Sequence, residues 1–485
     1  MRWRRAHWVA AAVFAGLLAP VEVGAAGIEG ARGEVYTPRG PGAPSAPVDK
    51  VAAPTHDPGK PTAVILLGPE GANAADVLAP YEVFASTGAF NLYTVAPQRQ
   101  PVPLTGNLDL IPDLSLGQLD QRLPNGPEVI VVPQLSEVAS GLPPSIAPVI
   151  AWLQRQRAHG DPLLVSVCVG AQVLAEAGLL DSRPATSHWL GLIGLRRDYP
   201  QLDWQDGVRY IDDGDLITTA GVLSGVDGAL RVVERMVGRD AAERATRAVH
   251  WPAYSPGGPT PIQRFRLAPP DLVGLLSAGY RWDRPTMGVL LTDGVTETEL
   301  ASAFRPYTEL SYLARPLALT TDGQPIRSSH GLTFIPRATL TGAVPELDRL
   351  VVPGAAAARR AAADGLAVPE RLSPVYLHRQ SGFAFDGALR DIARTRDVAT
   401  ARWVAKTLQY PATNPQLSGP AWPWALSLRP ILLAAAAIAA VLGIRFLGRR
   451  QRGAFRGGDR AAPPAQPADT SFNVEPSFHL TRRRS

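Results

Sequence analysis

The single cysteine of the chain, Cys168, lies where two patterns meet. Before it, Leu163-Leu164-Val165-Ser166-Val167 is a short apolar run behind turn signals, which predicts a buried strand. After it, Gly170-Ala171-Gln172-Val173-Leu174-Ala175-Glu176 has helical spacing and stops at Gly178. Gly170 and Ala171 are small enough for the tight strand-to-helix turn of a nucleophile elbow. A thiol held there stands at a helix N-terminus, where the dipole and free N–H groups favour the thiolate that attacks carbon. One cysteine excludes an intramolecular disulfide; in an oxidising compartment an odd thiol is paired between chains, buried or reactive. His159, His250, His330 and His378 have no metal-ligand spacing, Gly68 and Gly71 form no phosphate loop, and no cofactor or metal is expected.

The elements that must position this thiol alternate. Strands are predicted over 62–68, 90–96, 127–132, 163–167 and 216–220, and helices over 76–86, 146–158 and 224–237. Short apolar strands between helices call for an α/β domain with a doubly wound, mostly parallel sheet. The chain then repeats itself. Asp227-Gly228-Ala229-Leu230-Arg231 returns as Asp386-Gly387-Ala388-Leu389-Arg390, and Val131-Val132-Pro133 as Val351-Val352-Pro353. Trp251-Pro252-Ala253 is likewise echoed by Tyr410-Pro411-Ala412. Two tandem related domains follow, 61–254 and 285–412, joined by a linker at 255–284. The second copy is much shorter between its Pro353 and Asp386, which predicts that it lacks the elbow.

Several separate motifs in order resemble the DJ-1/PfpI family, in the class I glutamine-amidotransferase-like branch of isonitrile hydratases and AraC-type regulators. They are Ser166-Val167-Cys168-Val169-Gly170-Ala171, Ala185-Thr186-Ser187-His188-Trp189, Thr219 to Asp227, and Asp76 to Phe84. The resemblance implies a flavodoxin-like sandwich with Cys168 as the reactive thiol and Asp76 as the acidic partner that shares its proton. It implies His188 as a base or orienting group. A carboxyl near a thiolate has a raised pKa and can serve as a general acid. The chain departs from the family at Val169, where relatives carry Thr or His, and at Pro133-Gln134-Leu135-Ser136, which lacks the family's glycines. The backbone N–H of Val169 is left as the surviving oxyanion donor. No DNA-binding domain accompanies the match.

The two ends speak about location. Arg2, Arg4 and Arg5, the apolar stretch Ala6 to Val21 and the small residues Val23-Gly24-Ala25 describe a cleavable secretory signal over 1–25. Residues 26–60 are rich in Pro, Gly and Ala and read as a disordered linker. Residues 421–447 are long and apolar enough for a transmembrane helix, with Arg429 able to snorkel and a basic tail, 448–485, on the cytoplasmic side. The main body is thereby expected outside the cytoplasm (in the periplasm), tethered by one helix. A net charge of +5 and no basic stripe give no nucleic-acid footprint. Two functions remain open: a thiol-dependent hydrolase or hydratase-like enzyme acting on a small molecule, and a non-catalytic ligand or redox sensor. The second copy is expected to replace a dimer partner within one chain, or the chain to form a homodimer.

Overall fold

The computed structural model describes residues 2–40, 42–44, 48–135, 141–258, 261–360, 368–411 and 416–457. Ser136 of the glycine-free turn, Ala412 of the repeat and the final Arg-rich tail lie outside the described residues. The chain divides into two units: Met1–Ala19 with Leu432–Ser485, and the body, Pro20–Ile431.

The apolar runs of the first copy become β1 (Thr62–Leu66), β2 (Asn91–Ala96), β5 (Leu114–Ser115), β6 (Val129–Val132), β7 (Leu163–Ser166), β8 (Tyr210–Asp212) and β9 (Leu216–Thr219). They form one sheet in the order β8-β9-β7-β6-β1-β2-β5. Only β8 pairs antiparallel in it; β1, β2, β5, β6, β7 and β9 pair parallel. β1, β6 and β7 are buried along their whole length, as strands covered on both faces by helices must be. Helix α2 (Ala74–Thr87) starts where Asn73 caps it, the side chain accepting from the N–H groups of Ala75 and Asp76. The elbow leads into α3 (Gly170–Glu176), and the DGALR segment lies on α4 (Ser224–Met236).

The second copy builds β10 (Thr286–Leu290), β11 (Arg315–Thr320), β14 (Ala338–Thr339), β15 (Arg349–Val352) and β16 (Val375–Tyr376), all parallel, in the order β14-β11-β10-β15-β16. This repeats the order β5-β2-β1-β6-β7 strand for strand. Its first helix, α6 (Glu297–Phe304), is capped by Thr296, and the second DGALR segment begins α7 (Phe385–Thr395). Between the copies, the hairpin β3 (Val102–Leu104) and β4 (Leu108–Ile111) joins β12 (Ile326–Arg327) and β13 (Thr333–Ile335) in one antiparallel sheet, β12-β13-β4-β3. Buried Asp109 of β4 locks that seam, taking Arg39 on one side and Arg337 of the second copy, at 2.8 Å, on the other. A single apolar core runs through both copies, from Phe84 and Val165 to Phe304 and Leu389.

Three expectations are corrected. The second copy keeps its elbow strand: Val352 pairs with Tyr376 as Val132 pairs with Ser166, so His378 occupies the register position of Cys168. The large deletion falls after that point, with His378 eight residues before Asp386 but Cys168 59 before Asp227. Residues 26–60 are not a free linker. Helix α1 (Arg2–Gly33) runs through their start, Glu34 pairs with Arg284 and Arg315, and Thr37 N–H donates to Asn107. Residues 255–284 likewise contain a helix, α5 (Leu272–Tyr280). Proline, glycine and alanine content signalled looseness, but long-range ion pairs and helix packing decide the outcome. Near the other end, α8 (Val398–Thr407) is followed by α9 (Trp424–Gly457). Its stretch Trp424–Leu447 is long and apolar enough to cross a membrane.

Candidate active site

The elbow is formed as its residues require. Cys168 has φ of 57°, a left-handed conformation that costs a non-glycine residue energy and concentrates at functional sites. A Cβ on Gly170 would lie 2.1 Å from the carbonyl oxygen of Val132, so only glycine lets the chain turn this close to β6. Ser187 Oγ donates to the Cys168 carbonyl at 2.8 Å and holds the turn from outside. The thiol is buried, yet it lines a cavity of about 1190 Å³ together with His188, Gln134 and Arg305.

The sulfur has few partners. Its thiol donates to Gln134 Oε1 at 3.6 Å. Asp76 lies behind, fully buried on the first turn of α2. Its Oδ2 accepts the Gln134 N–H at 3.2 Å, while its Oδ1 has no hydrogen-bond partner among the described residues. Burial above all holds the Asp76 carboxyl well above the ordinary range, and Glu309 adds to it. Burial also pushes the Cys168 thiol well up, with Asp76 and Glu309 acting in the same direction. Burial therefore favours a thiol over the thiolate expected from the helix dipole, and it favours the protonated form of Asp76. Helix α3 has only seven residues, and desolvation outweighs its N-terminus.

His188 reaches the same cavity from the loop after Thr186, in the first copy. Its Nε2 donates to the carbonyl of Thr407 in α8 at 2.8 Å, which leaves Nδ1 as the acceptor nitrogen. Burial depresses its pKa to about 4, so the ring is neutral at physiological pH. It can orient a polar group, and it is a weak base.

The residues that sequence reasoning missed come from the second copy. Glu309 enters beside the thiol and accepts from Gln134 Nε2 and, at 2.9 Å, from Asn73 Nδ2. One carboxylate thereby fixes both the amide that faces the sulfur and the cap of the helix that carries Asp76. Arg305 compensates that charge, with Nε 3.3 Å from Glu309 Oε2. The only local signal was their four-residue separation, which suits an ion pair anywhere. In the second copy the equivalent position is filled differently. The Gly354 N–H donates to His378 Nδ1 at 2.9 Å, and His378 Nε2 meets Ala384 O and Ser302 Oγ at 3.0 and 3.1 Å. Glu299 accepts from the Ala355 N–H as Asp76 accepts from Gln134. An imidazole wired on both nitrogens replaces the thiol, so a single nucleophile elbow with a thiol remains.

The parallel sheet and its strained elbow cysteine define a flavodoxin-like α/β domain with a thiol-centred pocket. The chain belongs to the DJ-1/PfpI family, whose model matches residues 61–235, and it fits the isonitrile hydratase and AraC-associated branch. It is 28% identical over 191 residues to isonitrile hydratase of Pseudomonas putida, covering 38% of this chain and 77% of that protein. It is 31% identical over 144 residues to an uncharacterized protein in the cpoL 5′ region of Streptomyces lividans, covering 29% of this chain and 96% of that one. The crystal structure of Drosophila melanogaster DJ-1beta aligns at 19% identity and a TM-score of 0.33, covering 39% of this chain and 97% of that one.

Proposed function

We propose that this is a membrane-anchored, extracytoplasmic member of the family in which Cys168 acts on a small electrophilic molecule held in the cavity. The observation that carries the reading is the neutral thiol facing that cavity with a buried carboxylic acid, Asp76, behind it. A protonated pair of this kind suits addition of S–H across an electrophilic carbon. With an isonitrile, the class named for the Pseudomonas relative, the sulfur bonds to the terminal carbon. Asp76 supplies that carbon's proton and takes the thiol proton, so the carboxyl is unchanged overall. Water then breaks the C–S bond, releasing a formamide and restoring the thiol. His188, whose Nδ1 is the acceptor nitrogen, lines the cavity and would accept from that water, while Leu142, Ile150 and Leu190 give the otherwise charged wall an apolar stretch.

The test is conversion of an aliphatic isonitrile to its formamide by the full chain in detergent, followed by NMR. Cys168→Ala is expected to melt as the parent does and to lose turnover by at least about a thousandfold, the range set by losing a covalent nucleophile. Unchanged turnover in Cys168→Ala sinks the reading. A second reading, a ligand-binding sensor without chemistry, is favoured by one observation: burial pushes the Cys168 thiol well up and so disfavours the thiolate that attacks carbon. Binding of the isonitrile with no product from the parent chain selects it.

A further inference from the structure

The last residues of the segment that reads as a cleavable signal, from Pro20 on, belong to the body. Helix α1 is unbroken from Arg2 to Gly33 and passes straight through the small residues at 23–25. On its body side Gly24 and Gly27 lie against the end of α5. A Cβ on Gly27 would stand 2.1 Å from the Gly279 carbonyl oxygen, and one on Gly24 would stand 2.8 Å from the Tyr280 hydroxyl. That hydroxyl donates to the Pro20 carbonyl at 2.7 Å. The glycines that suit a signal peptidase here serve close helix packing, because only a residue without a side chain lets the two helices come this near.

The same helix reaches the functional site. Ala31 and Val35 are buried against Tyr312, and Arg32 is part of the wall of the Cys168 cavity. In the smaller unit, α1 and α9 approach through a further glycine: a Cβ on Gly16 would meet Ile438 Cγ1 at 2.7 Å. Both helices contain stretches long and apolar enough to cross a membrane, Ala10–Gly33 and Trp424–Leu447. Arginines follow the outer end of each, at 2, 4 and 5 and at 445, 449 and 450. By the positive-inside rule both ends then lie on the cytoplasmic side.

We propose that the N-terminal helix is kept in the mature protein as a second membrane helix, and that its inner end closes the cavity through Arg32. The proposal rests on the membrane-anchored reading and replaces removal of residues 1–25 with retention. Cleavage at Ala25 would remove the Pro20 carbonyl that Tyr280 uses and the Gly24 contact, leaving a buried face of α5 uncovered.

The test is the intact mass and N-terminal sequence of the full chain, tagged after Ser485 and purified in detergent from carbonate-washed bacterial membranes. The expected product begins at Met1. A carbonate-resistant product beginning at or near residue 26 overturns the inference while leaving anchoring by α9 in place. An intact chain released by carbonate overturns the anchored reading itself, and this inference with it. A pair of variants supplies an independent readout. Gly24→Leu is expected to melt lower than the parent, whereas Gly30→Leu, with nothing within 4 Å of its Cβ, melts as the parent does. Identical melting of both variants places residue 24 outside the folded protein and contradicts retention.

Discussion

At the scale of single residues, the site is governed by what burial does to three ionisable groups. Desolvation raises the pKa of Cys168 and of Asp76 and lowers that of His188 to about 4, so burial favours the neutral form of all three. Glu309 is the charged group that organises them. Removing it in Glu309→Ala leaves Gln134 Nε2 and Asn73 Nδ2 without the acceptor they share, two buried donors at about 1–3 kcal/mol each. The variant is expected to lose about 2–6 kcal/mol in denaturant unfolding, a loss that Glu309→Gln recovers in part because its carbonyl still accepts. An Ala variant as stable as the parent would show that the carboxylate does not fix the loop. Cys168 was legible from its flanking pattern, and Asp76 and His188 from family motifs. Glu309 and Arg305 were not, because no spacing in a sequence announces which residues a second copy will insert into the first.

Among the elements, the packing of α2 on α6 is the joint that makes the copies one body. Nine residues on from each N-cap stand Glu82 and Arg305, and each reaches toward the start of the opposite helix. Glu82 accepts the Thr298 N–H at 2.6 Å. Burial, with Glu297 nearby, raises its pKa from 4.5 to about 7. A carboxyl whose folded pKa is raised contributes stability fully below its unfolded value, and that contribution is lost as pH rises through 7. Glu82→Gln keeps the neutral form and an acceptor for Thr298. It is expected to melt with the parent at pH 5 and above it at pH 8, by roughly 2–4 °C for each kcal/mol recovered. A gap of equal size at both pH values would contradict this. The strands and helices of the first copy were legible because apolar runs bounded by turn residues leave little choice of type. The hairpin at 102–111 was not: its strands are three and four residues long, and β4 pairs with β13, 222 residues further on at the closest register. The retained elbow strand β16, only two residues long, was hidden for the same reason.

In the whole molecule the repeat has a function beyond filling space. The first copy supplies the thiol, the acid and the neutral histidine; the second supplies Glu309, Arg305 and the Thr407 carbonyl that sets the His188 tautomer. Residues from 285–411 thus contribute to the site around Cys168, while His378, at the register position of the thiol, is hydrogen-bonded at both ring nitrogens. Arg32 of α1 also forms part of the cavity wall. The central claim is that this composite cavity holds its thiol protonated. It is tested most directly by the rate of iodoacetamide alkylation of Cys168 across pH 6–11 in the intact chain, against the unfolded chain as control. The account predicts slow labelling at pH 7 and a rate that is still rising above pH 9, later than in the unfolded control. A rate that has already reached its plateau by pH 7 would mean a standing thiolate and would contradict the account.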